Sequence, residues 1–266
     1  MASITTYRNK WLRLHKSYEK RALKELMIAF KIWGNAIPFN FLSEENYENL
    51  IESSATKEVM LEAYGKIYYG VGSLYGKRVG SAINKELKEF TFNTFISTFE
   101  RGIYQWLFTN GGSRITLLQE SYIAYINNVI ATGLADGKTI REISADLQKM
   151  VNRRNFYRWQ ALRIARTETT TASNYSAIIA GEVSGFVTEK VWISAQDART
   201  RRPPESHFNH YAMNGVKVGL NERFNVGGEK LLFPGGPKGS AGNVINCRCT
   251  VAIIPKRDAE GDLVRS

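Results

Sequence analysis

Both cysteines of this chain stand two apart in Cys247-Arg248-Cys249, and two of its three histidines, His207 and His210, lie upstream in the same stretch rich in glycine and proline. Thiolate and imidazole are preferred ligands of Zn2+, so His210, Cys247 and Cys249 form a candidate zinc set, with Asp197 or His207 as candidate fourth ligand. Zinc is the one cofactor these residue types suggest. Cys-x-Cys is not the usual knuckle spacing, and the competing reading is a pair of small buried thiols. The histidines, with Asn209 and Asp197, could instead serve a metal-activated water, which would make the chain a metal-dependent nuclease acting on DNA through His207 and His210. Other chemistry has less to work with. A cysteine nucleophile beside His210 lacks an orienting third group, and Glu168 and Asp197 lack a second carboxylate at a defined spacing.

The stretch from Trp192 to Thr250 holds three short signatures, and a fourth stands just upstream of it. In order they are Ala165-Arg166-Thr167-Glu168-Thr169, then Trp192 leading into Asp197-Ala198-Arg199-Thr200-Arg201, then His210 followed by Gly215, and last Cys247-Arg248-Cys249. Their order and spacing resemble the phage head morphogenesis family, the Mu F-like minor head proteins of tailed bacteriophages. Each piece alone is weak, but the conjunction is specific, and it covers roughly residues 150 to 255. The positions that match the family pattern are Arg166, Thr167, Glu168, Trp192, Asp197, Arg199, Arg201, His210, Gly215, Cys247, Arg248 and Cys249. The departure is an insertion-like Arg202-Pro203-Pro204-Glu205-Ser206-His207, which makes His210 the matching histidine because of its distance from Gly215. The resemblance implies a structural, non-enzymatic role in head assembly. It also implies a portal protein or the inner capsid face as partner, a part in DNA packaging or delivery, assembly in the host cytoplasm, and residence in the head interior or at the portal vertex of the virion.

Composition agrees with a globular protein: 266 residues, 43% of them hydrophobic, are enough for an ordinary core. A net charge of +11 favours polyanionic partners such as packaged double-stranded DNA. The densest basic stretch supplies the candidate DNA contacts Lys149, Arg153, Arg154 and Arg158, interleaved with Phe156, Tyr157 and Trp159. Two cysteines do not make a secreted disulfide framework, the N-terminus reads as no signal peptide, and no apolar run approaches the ~20 residues of a membrane span. No membrane partner is expected.

The elements that must position these residues read as α+β: a long N-terminal helical region, then a small domain with a few short antiparallel strands. Apolar spacing predicts a helix from Thr5 to Trp33, ended by Gly34 and Pro38. Ser43 reads as the cap of a short helix through Ile51, Thr56 to Lys88 as one helix whose glycines admit a close neighbour, and Phe90 to Phe108 as an aromatic helix broken by Asn110-Gly111-Gly112. Thr139-Ile140-Arg141-Glu142 is a capping box for a helix to about Met150, and Asn155 to Val183 is the helix that carries Arg166-Thr167-Glu168. Strands are expected at Thr188 to Ser194, Val216 to Val218, Lys230 to Phe233 and Cys249 to Ile254. The expected organisation is residues 1–150 as a helical, partner-binding region, 151–258 as the Mu F-like domain, and 259–266 as a loosely ordered tail.

Overall fold

A computed structural model describes residues 3–87, 92–153 and 157–266. The chain is α+β, 61% helical, with long N-terminal helices followed by short antiparallel strands. It forms two compact units, each drawn from separated stretches. One comprises Leu23–Gly65 and Trp106–Leu162; the other comprises Met1–Ala22, Lys66–Gln105 and Arg163–Ser266. Helix α1 (Ile4–Ala36) contributes to both. A boundary near residue 150 would cut Trp106–Leu162 of the first unit and separate Met1–Ala22 and Lys66–Gln105 from Arg163–Ser266 in the other, and it stands as a proposal about folding.

The first unit is a helical packing around aromatic rings. Helices α2 (Tyr47–Ser54) and most of α3 (Lys57–Ile67) join the second half of α1, α6 (Gly112–Ala135) and α7 (Ile140–Asn152). Phe30, Trp33, Tyr122 and Tyr157 meet with centroids 5.1 to 6.4 Å apart, Phe30 stacked on Tyr157 at an interplanar angle of 8°. Helix α7 begins at the expected capping box, where the Thr139 side chain accepts from the Glu142 N–H and the Glu142 carboxylate accepts from the Thr139 N–H.

The second unit places α4 (Ser73–Leu87), α5 (Phe92–Trp106) and α8 (Arg158–Glu182, from Arg163 onward) with a three-stranded antiparallel sheet. Strand β1 (Thr188–Ile193) is central, flanked by β2 (Lys217–Gly219) and β5 (Thr250–Pro255), with Trp192 opposite Val251. A separate hairpin pairs β3 (Phe224–Val226) with β4 (Glu229–Leu231). The face that α8 buries is polar: Thr167, Thr169, Thr170, Thr171, Ser173, Asn174 and Ser176 are all buried. Close approach is built in at Gly72 and Gly76, where an added Cβ would lie 2.2 Å from the Phe99 ring and 1.9 Å from the Phe95 ring.

Several sequence expectations need correction. Asn110-Gly111-Gly112 does not break the chain's helical course: α5 passes through a π turn at Leu107–Gly111 directly into α6, with Gly111 at φ −68° and ψ −41°. Glycine costs only about 1 kcal/mol in a helix, so two of them weaken a turn without forbidding it. A second π turn, Tyr68–Gly72, divides the expected Thr56 to Lys88 helix into α3 and α4. Ser43 does not cap α2, which starts at Tyr47; its N–H instead donates to the Asn46 side chain at 2.7 Å. Strand β3 is an addition, since three residues are too few to show a period. Cys247 and Cys249 lie just before β5 rather than inside it, in irregular backbone that follows Asn246 at φ +60°.

Candidate metal centre

Helix α8 fixes the Cys-Arg-Cys segment by reading its backbone. Thr170 donates to the Cys247 carbonyl at 2.5 Å and accepts from His15 at 2.9 Å, while the Thr167 hydroxyl accepts from the Asn246 N–H at 3.0 Å. Asn174 is used on both sides of its amide. Its nitrogen donates to the carbonyls of Pro234 (2.9 Å) and Cys249 (3.2 Å), and its oxygen accepts from the Thr250 hydroxyl (2.8 Å) and the Val251 N–H (3.1 Å). From α1, the Trp11 indole donates to the Arg248 carbonyl at 2.7 Å. The segment is thereby pinned residue by residue, and every side chain doing the pinning is buried.

The turn after β1 supplies the opposite wall. The Asp197 carboxylate accepts from the Arg199 N–H (3.1 Å), the Thr200 hydroxyl (3.2 Å) and both ends of the Arg248 guanidinium (2.5 and 2.7 Å). The hydrogen bonds and charge of Arg248 hold its pKa down to about 2, against a smaller push from burial. Arg201 donates to the Ile245 carbonyl. Gly215, at φ +86°, donates its N–H to the Trp192 carbonyl at 2.8 Å, closing the excursion back onto β1 in a conformation that favours glycine.

Between these walls His210, Cys247 and Cys249 are brought together, all buried, with their ligand atoms within 4.8 Å of one another. His210 Nδ1 is 3.6 Å from Cys247 Sγ and 3.7 Å from Cys249 Sγ, and the ring stands edge-on to Trp192. The hydrogen bond from Cys247 raises that thiol, with burial adding to it; the same bond lowers Cys249, against burial and with help from His210. Neither candidate fourth ligand joins the group. Asp197 is engaged by Arg248, and exposed His207 bonds the Gly227 carbonyl at 2.9 Å. The reason is local: the Arg202–His207 excursion carries His207 to the β3–β4 turn.

The remaining motif residues also find partners inside the fold. Arg166 forms a two-pronged pair with Glu19 (3.0 and 3.2 Å) and reaches the Asn246 side chain, while Glu168 accepts from the buried Tyr68 hydroxyl at 2.7 Å. Among the matched positions Arg199 and Gly215 are exposed. Sequence reasoning missed His15, which burial and then the Arg248 charge hold down to about 3, and it missed Asn174 and Asn243. A run of Thr, Ser and Asn on a helix too polar to pack by oil was the available signal. The candidate DNA contacts Lys149, Arg153 and Arg158 are exposed and make no ion pair with a carboxylate among the described residues; Arg154 lies outside them.

Residues 124–252 match the family described as Phage Mu protein F like protein. The chain is also 28% identical over 131 residues to the uncharacterized protein YqbB of Bacillus subtilis (strain 168), a match that covers 48% of this chain and 41% of that protein. The shared part is thus less than half the length of that relative. No solved structure matches the chain. Among the described residues no helix is long and apolar enough to cross a membrane.

Proposed function

We propose, from the match of residues 124–252 to the Phage Mu protein F like family, that the chain belongs to that family and is a structural minor head protein of a tailed phage. In this reading it sits in the head interior or at the portal vertex, contacts the portal or the inner capsid face, and serves DNA packaging or delivery. The observation that carries the structural part is where the motif side chains go. Arg166, Glu168, Asp197, Arg201 and Arg248 bond to one another's segments, to α1 or to the Tyr68–Gly72 turn, and His210 and both cysteines are buried, so the motif maintains a fold. Crosslinking in assembled particles, read by mass spectrometry, is expected to join this chain to the portal or the major capsid protein. Purified heads that lack the chain would overturn the reading.

Contact with packaged DNA is supported by the net charge of +11 and by the exposed Lys149, Arg153 and Arg158 near the end of α7 and the start of α8. Backbone binding of this kind weakens with salt by a log–log slope of about 0.9 per neutralised phosphate. Replacing Lys149, Arg153, Arg154 and Arg158 by Ala should flatten that slope by roughly 2 to 4. An unchanged slope in a folded variant removes these residues.

The nuclease alternative needs His210 where a water and a phosphodiester can reach it. His210 is 1% exposed, with both ring nitrogens engaged. Incubation with plasmid and Mg2+, Mn2+ or Zn2+ should therefore leave the DNA intact, and cleavage lost in a folded His210→Ala variant would reinstate the enzyme.

A further inference from the structure

The trio His210, Cys247 and Cys249 has a geometry that goes beyond the burial on which the head-assembly reading rests. A tetrahedral ion with Zn–S bonds of about 2.3 Å and a Zn–N bond of about 2.0–2.1 Å holds nitrogen and sulfur about 3.5 Å apart. The two observed Nδ1–Sγ distances, 3.6 and 3.7 Å, lie within about 0.2 Å of that edge. The ring is also oriented from behind. Asn243 donates its amide nitrogen to the Glu229 carboxylate at 2.8 Å, so its oxygen faces His210 Nε2 at 2.6 Å and accepts the Nε2 proton. A neutral imidazole protonated at Nε2 presents its Nδ1 lone pair to the two sulfurs. Such a support behind a metal-binding histidine is the usual arrangement, because it fixes both tautomer and ring orientation.

Charge and burial point the same way. Two thiolates and one Zn2+ sum to zero, a neutral assembly suited to ligands that are 1%, 2% and 2% exposed. The ligands come from two irregular segments, the turn around His210 and the residues before β5, where few large apolar side chains are available to hold backbone together. We propose that this chain binds one zinc ion through His210 Nδ1, Cys247 Sγ and Cys249 Sγ. Among the described residues no other His, Cys, Asp or Glu belongs to the group, so water or a backbone oxygen fills the fourth position. The ion staples the His210 turn to the C-terminal strand.

The test uses the untagged full chain, purified under reducing conditions from cells grown with added zinc. Elemental analysis should report about one zinc per chain, and release by a chelator should free two reactive thiols and lower the unfolding midpoint. Cobalt added to the chelated protein should give a thiolate-to-metal charge-transfer band, a readout that needs no variant. Asp197→Asn and His207→Ala should keep full zinc content, whereas Cys249→Ser should lose it. Wild-type protein that is folded yet holds less than a tenth of an equivalent of zinc and shows no cobalt band would overturn the proposal and leave a hydrogen-bonded trio. Stoichiometric iron or copper in place of zinc would overturn the identity of the ion. Full zinc in folded Cys249→Ser, or its loss in His207→Ala, would overturn the ligand set.

Discussion

The aromatic unit and the unit that carries the motif solve the same problem with different forces. In the first, Phe30, Trp33, Tyr122 and Tyr157 bury rings against one another, an interaction proportional to area and tolerant of detail. In the second, α8 presents hydroxyls and one amide to the backbone of residues 246–251, and each bond has a direction and a partner. A buried polar group is costly only when unmatched, about 1–3 kcal/mol each, so a matched seam is stable and also unforgiving. The difference teaches that an Ala-Arg-Thr-Glu-Thr signature followed by Cys-Arg-Cys can encode recognition of one segment by another within a chain.

The largest effect should come from cutting that seam. A fragment of residues 150–258 tests the separate folding proposed for 151–258. It would lack Trp11, His15, Glu19, Tyr68 and Tyr75, which bond Arg248, Thr170, Arg166, Glu168 and Thr250. We expect it to show no cooperative thermal or urea transition; a sharp two-state transition would restore the boundary at 150. Within the full chain, Asn174→Leu keeps approximate volume but strands two carbonyls, a hydroxyl and an N–H. A loss of about 3–5 kcal/mol is expected by urea unfolding, and a loss under about 1 kcal/mol would show that the seam is ordinary packing.

Titration separates the two regions further. His15 has a folded pKa of about 3 against an ordinary 6.5, so between those values the unfolded chain binds a proton that the folded chain refuses. Stability should fall as pH drops below 6.5, and a His15→Gln variant should flatten that limb. Asp197, held to about 2, adds its own loss only below its ordinary 3.8. The aromatic unit responds at the other end. Burial raises Tyr122 to about 12 and Tyr157 further, so unfolding gains a deprotonation above pH 10 and stability falls there. An acid limb that His15→Gln leaves unchanged would place the acid sensitivity elsewhere.

What the sequence made legible follows the same division. Helical periodicity located α1 and the capping box located α7, while the alternation read in β1 marked a true strand although Lys190 and Trp192 are buried as fully as Val191 and Ile193. The convergence of His210 with Cys247 and Cys249 was legible from residue type and from the family resemblance. Its supports were not: Asn243 and Asn174 act across 33 and 75 residues, and nothing in a local window marks which buried amide meets which carbonyl. The π turns at Tyr68–Gly72 and Leu107–Gly111 escaped for a related reason, since glycines that read as breaks were tolerated within a continuing helix.

The smallest effect gives the cleanest comparison, one hydroxyl removed from each region at nearly constant shape. Thr170→Val deletes an oxygen that bridges His15 and the Cys247 carbonyl at 2.9 and 2.5 Å, leaving two buried polar groups unmatched. About 1–3 kcal/mol should be lost. Tyr122→Phe deletes an oxygen whose bond to the Tyr157 hydroxyl is long, 3.3 Å, while the ring that carries the area burial stays in place. Its cost should be about 0.5–1 kcal/mol, since a net hydrogen bond of this kind contributes little beyond what water offers. The ratio matters more than either value, because both substitutions remove one oxygen and differ only in what surrounds it. Equal losses would mean that the motif-bearing unit, like the aromatic one, is held chiefly by area, and that its buried hydroxyls are passengers.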